Sequence, residues 1–177
     1  MKITIIGYSG AGKSTLAEKL SNYYSIPKLH MDTLQFQPGW QDSDREWMLT
    51  EMKNFLTKHE AWVIDGNYSW CCYEERMQEA NQIIFLNFSP WTCLFRAFKR
   101  YLTYRGKVRE SMAAGCPERF DWDFIRWILW DGRTKNAKER YQRAQETYPE
   151  KVIVLKSQKE MDHFLENLAH NKKNQRV

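Results

Sequence analysis

Residues 7–14 read GYSGAGKS, and this stretch decides how the rest of the chain is interpreted. It fits the spacing G-x-x-x-x-G-K-[ST]. The apolar run 2–6 in front of it predicts a buried strand, and Leu16, Leu20 and Tyr23 behind it recur on one face of a predicted helix. A strand, a glycine-rich turn and a helix in this order predict the first unit of an α/β fold.

The residue types in this turn indicate that it binds phosphate groups. Glycines let the backbone curve tightly and point its N–H groups inward, and the helix that follows directs its positive N-terminus at the same place. Lys13 supplies a positive charge for the outer phosphates, and Ser14 offers a hydroxyl to a magnesium ion. The predicted nucleotide-binding residues of the turn are Ser9, Gly10, Ala11, Gly12, Lys13 and Ser14.

The chain as a whole has 177 residues, of which 42% are hydrophobic, and this predicts one globular domain over residues 1–177 with a frayed tail at 170–177. Strands and helices alternate, which predicts a three-layer α/β P-loop NTPase fold with a five-stranded parallel sheet flanked by helices. Ser43 and Glu46 form a capping box that predicts the start of a helix ending near His59. The expected strands are 2–6, 28–31, 62–65, 82–88 and 151–155.

The charge and the cysteines restrict the possible partners. A net charge of +5 suits a polyanion such as a nucleotide or a nucleic acid. The four cysteines lack the spacing of a zinc site, and we expect free thiols in a reducing environment. No apolar stretch approaches the length of a membrane span, so we expect a cytoplasmic protein without a membrane partner.

Two aspartates, Asp32 and Asp65, follow the second and third predicted strands. In an open α/β sheet, ligands bind at the carboxyl ends of the strands, so both carboxylates are expected at the site. One of them can position magnesium through water, and the other can orient or deprotonate an acceptor hydroxyl. The sequence alone does not assign these two roles.

Residues 105–120 break the helical pattern with two glycines and a proline, and they carry Arg105, Arg109 and Arg119. Arginines offer planar, bidentate contacts to phosphate oxygens, so this segment is a candidate lid over the phosphates. Arg96 and Arg100 precede it within a stretch rich in aromatic residues. That stretch fits single-stranded nucleic acid, but we favour an amphipathic helix with its aromatics inward that leads into the lid.

The sequence resembles the P-loop kinases of the adenylate kinase and shikimate kinase group. It lacks the Asn-Lys-x-Asp element of GTPases and the strand-terminal Asp-Glu of many ATP-driven motors. The resemblance rests on the P-loop, on the strand end at 30–32 and on Asp-Gly-Asn-Tyr at 65–68. It implies an α-phosphate contact for Thr15, a phosphate contact for Arg133, and acceptor contacts for Gly66 and Asn67.

The same resemblance implies that Asp32 is the catalytic base and that Asp65 holds magnesium together with Ser14. A narrower resemblance joins these motifs to Pro-Gly-Trp at 38–40 and to Gly-Cys-Pro-Glu-Arg-Phe at 115–120. This combination is similar to bacterial proteins labelled DNA topology modulation proteins. That label implies a DNA-related role without a mechanism.

The function that the sequence favours is a kinase that uses ATP and Mg²⁺ and transfers the γ-phosphoryl group to a small hydroxyl or phosphate acceptor. Its catalytic residues would be Lys13, Asp32, Arg109 and Arg119, with Arg96 and Arg100 also on the acceptor. The alternatives are a nucleotide-binding regulator associated with DNA and a simple NTPase. The acceptor, the preferred nucleotide and the oligomeric state stay open.

Overall fold

A five-stranded parallel sheet forms the centre of the computed structural model, which describes residues 1–174 and, of their side chains, those up to residue 170. Its strands are β1 (Lys2–Gly7), β2 (Lys28–His30), β5 (Trp62–Asp65), β6 (Gln82–Leu86) and β7 (Val152–Leu155), and a separate antiparallel hairpin consists of β3 (Phe36–Gln37) and β4 (Gln41–Asp42). The order in the sheet is β2-β5-β1-β6-β7, and every neighbouring pair is parallel. The predicted five-stranded parallel sheet is therefore confirmed.

Helices flank this sheet and connect its strands. They are α1 (Lys13–Tyr24), α2 (Met31–Gln35), α3 (Arg45–Lys58), α4 (Tyr73–Glu79), α5 (Pro90–Tyr104), α6 (Trp122–Leu129), α7 (Lys135–Thr147) and α8 (Gln158–Asn174). A short 3-10 turn at Asp131–Arg133 joins α6 to α7. None of the described helices is both long enough and apolar enough to cross a membrane.

The central strands β1 and β6 are buried along almost their whole length. Ile3, Ile5, Ile83 and Ile84 are all inaccessible to solvent. Burial of successive residues means that both faces of these strands are covered, as in other parallel sheets with helices on each side. The core therefore fixes β1, and with it the turn that follows, from both faces.

Two helix boundaries differ from the sequence prediction, and one helix, α4, was not predicted. The cap of α3 is Asp44, whose carboxylate accepts from the Trp47 amide at 2.9 Å, whereas Ser43 is buried one residue outside the helix. The short helix α4 has no side-chain cap, and the sequence gives no signal for its start. Helix α8 continues to Asn174, beyond the expected start of the tail, and residues 175–177 lie outside the described part of the chain.

Helix α5 is amphipathic as expected, but the orientation that we predicted for it is wrong. Phe95 is 68% exposed, and Phe98 and Tyr104 are also exposed. Arg96 and Arg100 instead lie on the face that is turned toward the interior. The polar face of α5 therefore lines a cavity, where Arg96 donates to the side-chain amide oxygen of Gln158 and Arg100 to the carboxylate of Glu118.

The irregular segment 105–120 packs against the hairpin formed by β3 and β4. The Gly39 amide donates to the Gly115 carbonyl at 3.0 Å, and the Cys116 thiol donates to the Gln37 carbonyl at 3.1 Å. A side chain at Gly115 would meet Pro38 at 2.8 Å, so this approach requires glycine. The hairpin and the segment together form one wall over the carboxyl edge of the sheet.

Candidate active site

A cavity of about 900 Å³ opens at the carboxyl ends of the parallel strands. After β1 the chain forms the edge strand β2 and returns to β5 next to β1, and it then crosses to β6 and β7 on the other side of β1, so the topological switch lies beside β1. Ligands bind at such a switch point in open α/β sheets. The stretch 7–15, apart from Gly7 and Ala11, lines one part of the cavity, called here the P-loop side. The part called here the Asp32 side is lined by Asp32, Phe36, Trp40, Tyr68, Trp70, Arg100, Arg109, Glu118 and Arg119.

The backbone shapes the P-loop side. Gly10 and Gly12 have φ values of 80° and 97°, which side chains rarely tolerate. A Cβ at Gly10 would stand 2.5 Å from the Cys93 carbonyl oxygen, and a Cβ at Gly12 would collide with the Arg96 guanidinium. Both glycines therefore let the loop pass close to α5, and Arg96 lies directly against the loop.

Lys13 folds back over this loop. Its Nζ donates to the carbonyl oxygens of Gly7 at 3.0 Å and Tyr8 at 3.2 Å. Burial lowers the pKa of Lys13, and the nearby carboxylates of Asp32 and Asp65 oppose that shift. The ammonium group is therefore held at the junction between the P-loop and the two strand-end aspartates.

Asp65 is held by residues from two other elements. Ser14 Oγ donates to its Oδ2 at 2.9 Å, and His30 Nδ1 donates to its Oδ1 at 2.5 Å. The Asp65 carboxylate is almost fully buried, and His30 and Asp65 are register partners on adjacent strands. One carboxylate thus joins Ser14, in the first turn of α1, to the ends of β2 and β5.

Asn67 makes a two-point contact with the start of the P-loop. Its Nδ2 donates to the Gly7 carbonyl at 2.6 Å, and its Oδ1 accepts from the Gly7 amide at 3.1 Å. Gly66 next to it packs so closely that a Cβ would stand 2.6 Å from the Met31 Cβ. The predicted acceptor residues Gly66 and Asn67 therefore line the cavity while bracing the loop and α2.

Asp32 faces the cavity from the first turn of α2, and its Oδ1 accepts from the Tyr68 hydroxyl at 2.7 Å. Burial raises the pKa of Tyr68, and the Asp32 charge adds to that shift, so the phenol stays a hydrogen-bond donor. Among the described residues, Oδ2 of Asp32 accepts no hydrogen bond. One carboxylate oxygen is therefore fixed by Tyr68, and the other is left without a hydrogen bond from the described residues.

A three-residue charge cluster lies beside Asp32. Glu118 accepts from Arg100 Nε at 2.8 Å through Oε1 and from Arg109 Nε at 2.5 Å through Oε2, and its side chain is only 5% exposed. Burial lowers the pKa of Arg100, which lies close enough to Asp32 and Lys13 for their charges to interact. The cluster ties segment 105–120 to α5.

The remaining predicted arginines occupy different positions. Arg119 stacks over Trp40 at 4.8 Å and pairs with Asp121 at 3.3 Å. Arg133 covers the Tyr8 ring at 3.7 Å, and its guanidinium donates to backbone carbonyls. Arg105 is exposed and lies outside the cavity wall.

Most of the predicted site residues meet in this cavity. Those that line it are Ser9, Gly10, Gly12, Lys13, Ser14, Thr15, Asp32, Gly66, Asn67, Arg96, Arg100, Arg109, Arg119 and Arg133. Ala11 is buried behind the loop, and Asp65 reaches the site through Ser14. The geometry thus brings the two strand ends, the P-loop and the arginines of α5 and segment 105–120 together.

Several residues at the site were not predicted. Glu118 is a carboxylate in an arginine-bearing segment, a pattern that predicts an internal ion pair. His30 lies at the same carboxyl edge of the sheet as Asp65, so the reasoning that placed Asp65 at this edge could also have predicted the contact between them. Trp127, whose indole Nε1 donates to Ser9 Oγ at 3.1 Å, carries no such signal because the crossing of α6 over the loop is a tertiary contact.

The basic stretch of α5 and the following segment divides between two surroundings. Arg96, Arg100 and Arg109 line the cavity and have protein partners. Lys99, Arg105 and Lys107 are exposed. The stretch therefore does not present one continuous basic face outward, and the alternative of a nucleic-acid contact gains no support from its geometry.

Comparisons with known proteins agree with this fold. The chain matches no protein-family model and no curated protein sequence. It superposes on a deoxyadenosine kinase from M. mycoides, solved with the products dCMP and a flexible dCDP, with a TM-score of 0.52 and 18% identity over 100% of both chains. It also superposes on a gluconokinase from Sinorhizobium meliloti 1021, with a TM-score of 0.51 and 18% identity over 98% of this chain and 96% of that one.

At this level of identity, the likeness establishes the fold. The chain has the fold of P-loop kinases, as its sequence predicts. The narrower resemblance to DNA topology modulation proteins stays a prediction.

Proposed function

We propose that this chain is a kinase that transfers the γ-phosphoryl group of ATP to a small acceptor. The observation that carries the proposal is that Lys13 and Asp32 line one cavity, near enough for their charges to interact. A phosphate cradle and a carboxylate in one enclosed site suit in-line transfer, which depends on positioning and charge neutralisation. The kinase fold is consistent with that chemistry.

ATP would occupy the P-loop side. The amides of residues 9–15 and the ammonium of Lys13 can neutralise its phosphates, and Arg96 lies against the same loop. Trp127 and Arg133 form the wall beyond the loop. By resemblance, Thr15 would contact the α-phosphate and Arg133 a further phosphate oxygen.

Magnesium fits the oxygen donors near Ser14. The ion prefers hard oxygen ligands and keeps several waters. Both oxygens of Asp65 are engaged, by Ser14 and by His30, so we assign Asp65 a contact through water and Ser14 a direct one. Within the described residues, no cluster of three His, Cys, Asp or Glu side chains could hold a metal by itself, which suits a site completed by phosphate oxygens.

Asp32 would act on the acceptor. The hydrogen bond from Tyr68 fixes Oδ1 and leaves Oδ2 to accept the proton of an acceptor hydroxyl. Arg109 and Arg119, both from segment 105–120, would contact the transferred group, and Arg100 would lie near both Lys13 and Asp32. Asp32 is thus the proposed base, and Asp65 the proposed magnesium partner.

The substitution Lys13→Ala tests this proposal. We expect ATP consumption with an acceptor to fall by at least about a hundredfold, because removal of one donor to a developing charge has a cost of that size. The matched control is Lys19→Ala, which removes an exposed lysine from the same helix. The assay is an ATP-consumption screen across nucleosides, nucleotides, sugars and small acids.

Two results would contradict the proposal. One is transfer by Lys13→Ala at a rate near that of the wild type while the Lys19→Ala control behaves the same way. The other is ATP hydrolysis that no acceptor in the screen accelerates, which would favour a simple NTPase.

A further inference from the structure

Helix α5 carries an exposed apolar stripe on the face turned away from the cavity. Its members are spaced four, three and four residues apart, which places them on one side of a helix. They are Trp91, Phe95, Phe98 and Leu102, which are 70%, 68%, 42% and 60% exposed. This set is called here the α5 stripe. None of its members lines the cavity, so the proposed site gives it no role.

The α5 stripe lies on a helix that is held in place by the rest of the protein. The side chain of Ser89 caps the N-terminus of α5, and Cys93 and Ala97 are buried beneath the helix. The inner edge of the stripe is packed as well, since the rings of Phe98 and Phe120 lie with centroids 5.2 Å apart. The stripe is therefore a preformed surface, and a partner that binds it has little order to impose.

The area of the α5 stripe matches the apolar part of a dimer interface. At roughly 200 Å² for a fully exposed large side chain, the exposed fractions of its four members correspond to about 480 Å². A standard-size interface buries about 800 Å² on each partner, of which somewhat over half is apolar. The stripe therefore supplies the apolar area that one side of such an interface requires. The adjoining helix α6 exposes a further aromatic residue, Trp122.

Protein suits this face of α5 better than a membrane surface does. A helix that lies in the plane of a membrane carries lysines and arginines along its polar face, where they reach the lipid headgroups. The polar face of α5 is turned into the protein instead, because Arg96 and Arg100 line the cavity and have protein partners. Within α5, all of which the structure describes, Lys99 is the one exposed cation.

A second copy of this chain is the partner that fits the stripe. A symmetric dimer pairs the same surface of both subunits, and no member of the stripe carries a charge that would meet its own copy. We propose that the α5 stripe is the interface of a twofold-symmetric dimer, in which α5 of one subunit packs against α5 of the other. Each cavity then lies on the far side of its own α5, so the two sites remain separate. The dimer goes beyond the proposed kinase function and does not depend on it.

Sedimentation velocity of the full chain tests the proposal. Interfaces of this size have Kd values from micromolar downward, so at roughly 50 μM we expect a species of twice the chain mass. The mass of one chain is 21.3 kDa. Because association stabilises only the folded chain, the thermal midpoint of the wild type should also rise with protein concentration.

Two variants place a charge on the stripe, Phe95→Asp at its middle and Leu102→Asp at its end. Both side chains are exposed in the single chain, so the fold should be retained, which circular dichroism checks. We expect the dimer Kd to rise by at least about a hundredfold, because twofold symmetry buries two unpaired carboxylates. The matched control is Trp47→Asp, which removes an exposed aromatic residue from α3 and should leave the dimer intact.

Loss of the dimer in either stripe variant, with the control still dimeric, supports the interface. A wild type that stays a monomer at this concentration would overturn it. If that monomer co-sediments with vesicles of phosphatidylcholine and phosphatidylserine, the stripe belongs to a membrane surface instead. A dimer that persists in both stripe variants, or one that Trp47→Asp disrupts equally, would mean that the subunits meet elsewhere.

Discussion

The two sides of the cavity are built in different ways. The P-loop side comes from one continuous stretch, residues 7–15, and its shape depends on backbone conformation at Gly10 and Gly12. The Asp32 side is assembled from α2, the loop after β5, α5 and segment 105–120, and its shape depends on paired side chains such as Tyr68 with Asp32. A site made by backbone can be identified from spacing, whereas a site made by side-chain pairs requires knowledge of which elements meet.

Asp32→Asn should have the largest effect, and it should be confined to the Asp32 side. The amide cannot accept a proton, so kcat should fall by about a hundredfold to ten thousandfold. The Kd of ATP with Mg²⁺ should stay within about twofold, because the P-loop is intact. Single-turnover rates and nucleotide titrations check both parts, and an equal loss in nucleotide affinity would mean that the two sides are not separable.

The pair Gly10→Ala and Gly106→Ala tests whether the P-loop side depends on backbone space. Both glycines have similar φ values, 80° and 73°, but a Cβ meets the Cys93 carbonyl at 2.5 Å only at Gly10. We expect Gly10→Ala to weaken ATP binding by about tenfold or more, while Gly106→Ala costs about 1 kcal/mol of stability and leaves the Kd of ATP unchanged. Similar Kd values for both variants would show that the close approach to α5 is not required.

Tyr68→Phe should have a smaller effect on the Asp32 side. It removes the hydrogen bond to Oδ1 and leaves the ring in the wall of the cavity. A hydrogen bond to a charged group contributes about 1.5–3 kcal/mol, of which only the part that orients the carboxylate affects the rate, so we expect kcat to fall by about tenfold. An unchanged kcat in a pre-steady-state assay would mean that Asp32 is oriented by its backbone alone.

Asp44→Ala should affect neither side of the cavity. It removes the N-cap of α3 and should lower the free energy of unfolding by about 1 kcal/mol, with kcat and the Kd of ATP unchanged. Ser43→Ala is the matched comparison, because the capping-box interpretation assigned the cap to Ser43. Urea titration of the two variants shows which residue caps α3, and a larger loss in the free energy of unfolding for Ser43→Ala would contradict the structure.

Much of the fold could be predicted from the sequence because its signals are local. The strands and the helix after residues 7–14 follow from apolar runs and from the turn between them. The prediction failed where tertiary contacts decide, as for the aromatic residues of α5, which face outward because Arg96 and Arg100 turn to the cavity. It also missed α4, which has no capping signal and is held by its neighbours.

The same division applies to the site. The sequence by itself determined the P-loop, Lys13, Ser14 and the two strand-end aspartates, since a phosphate cradle depends on residues adjacent in the chain and parallel strands end at one edge. Only the tertiary structure decided that Asp65 pairs with Ser14 while Asp32 faces the cavity, and that Glu118 pairs with two arginines. Those contacts join residues far apart in the chain, and they form only once the fold has brought these residues within hydrogen-bonding distance.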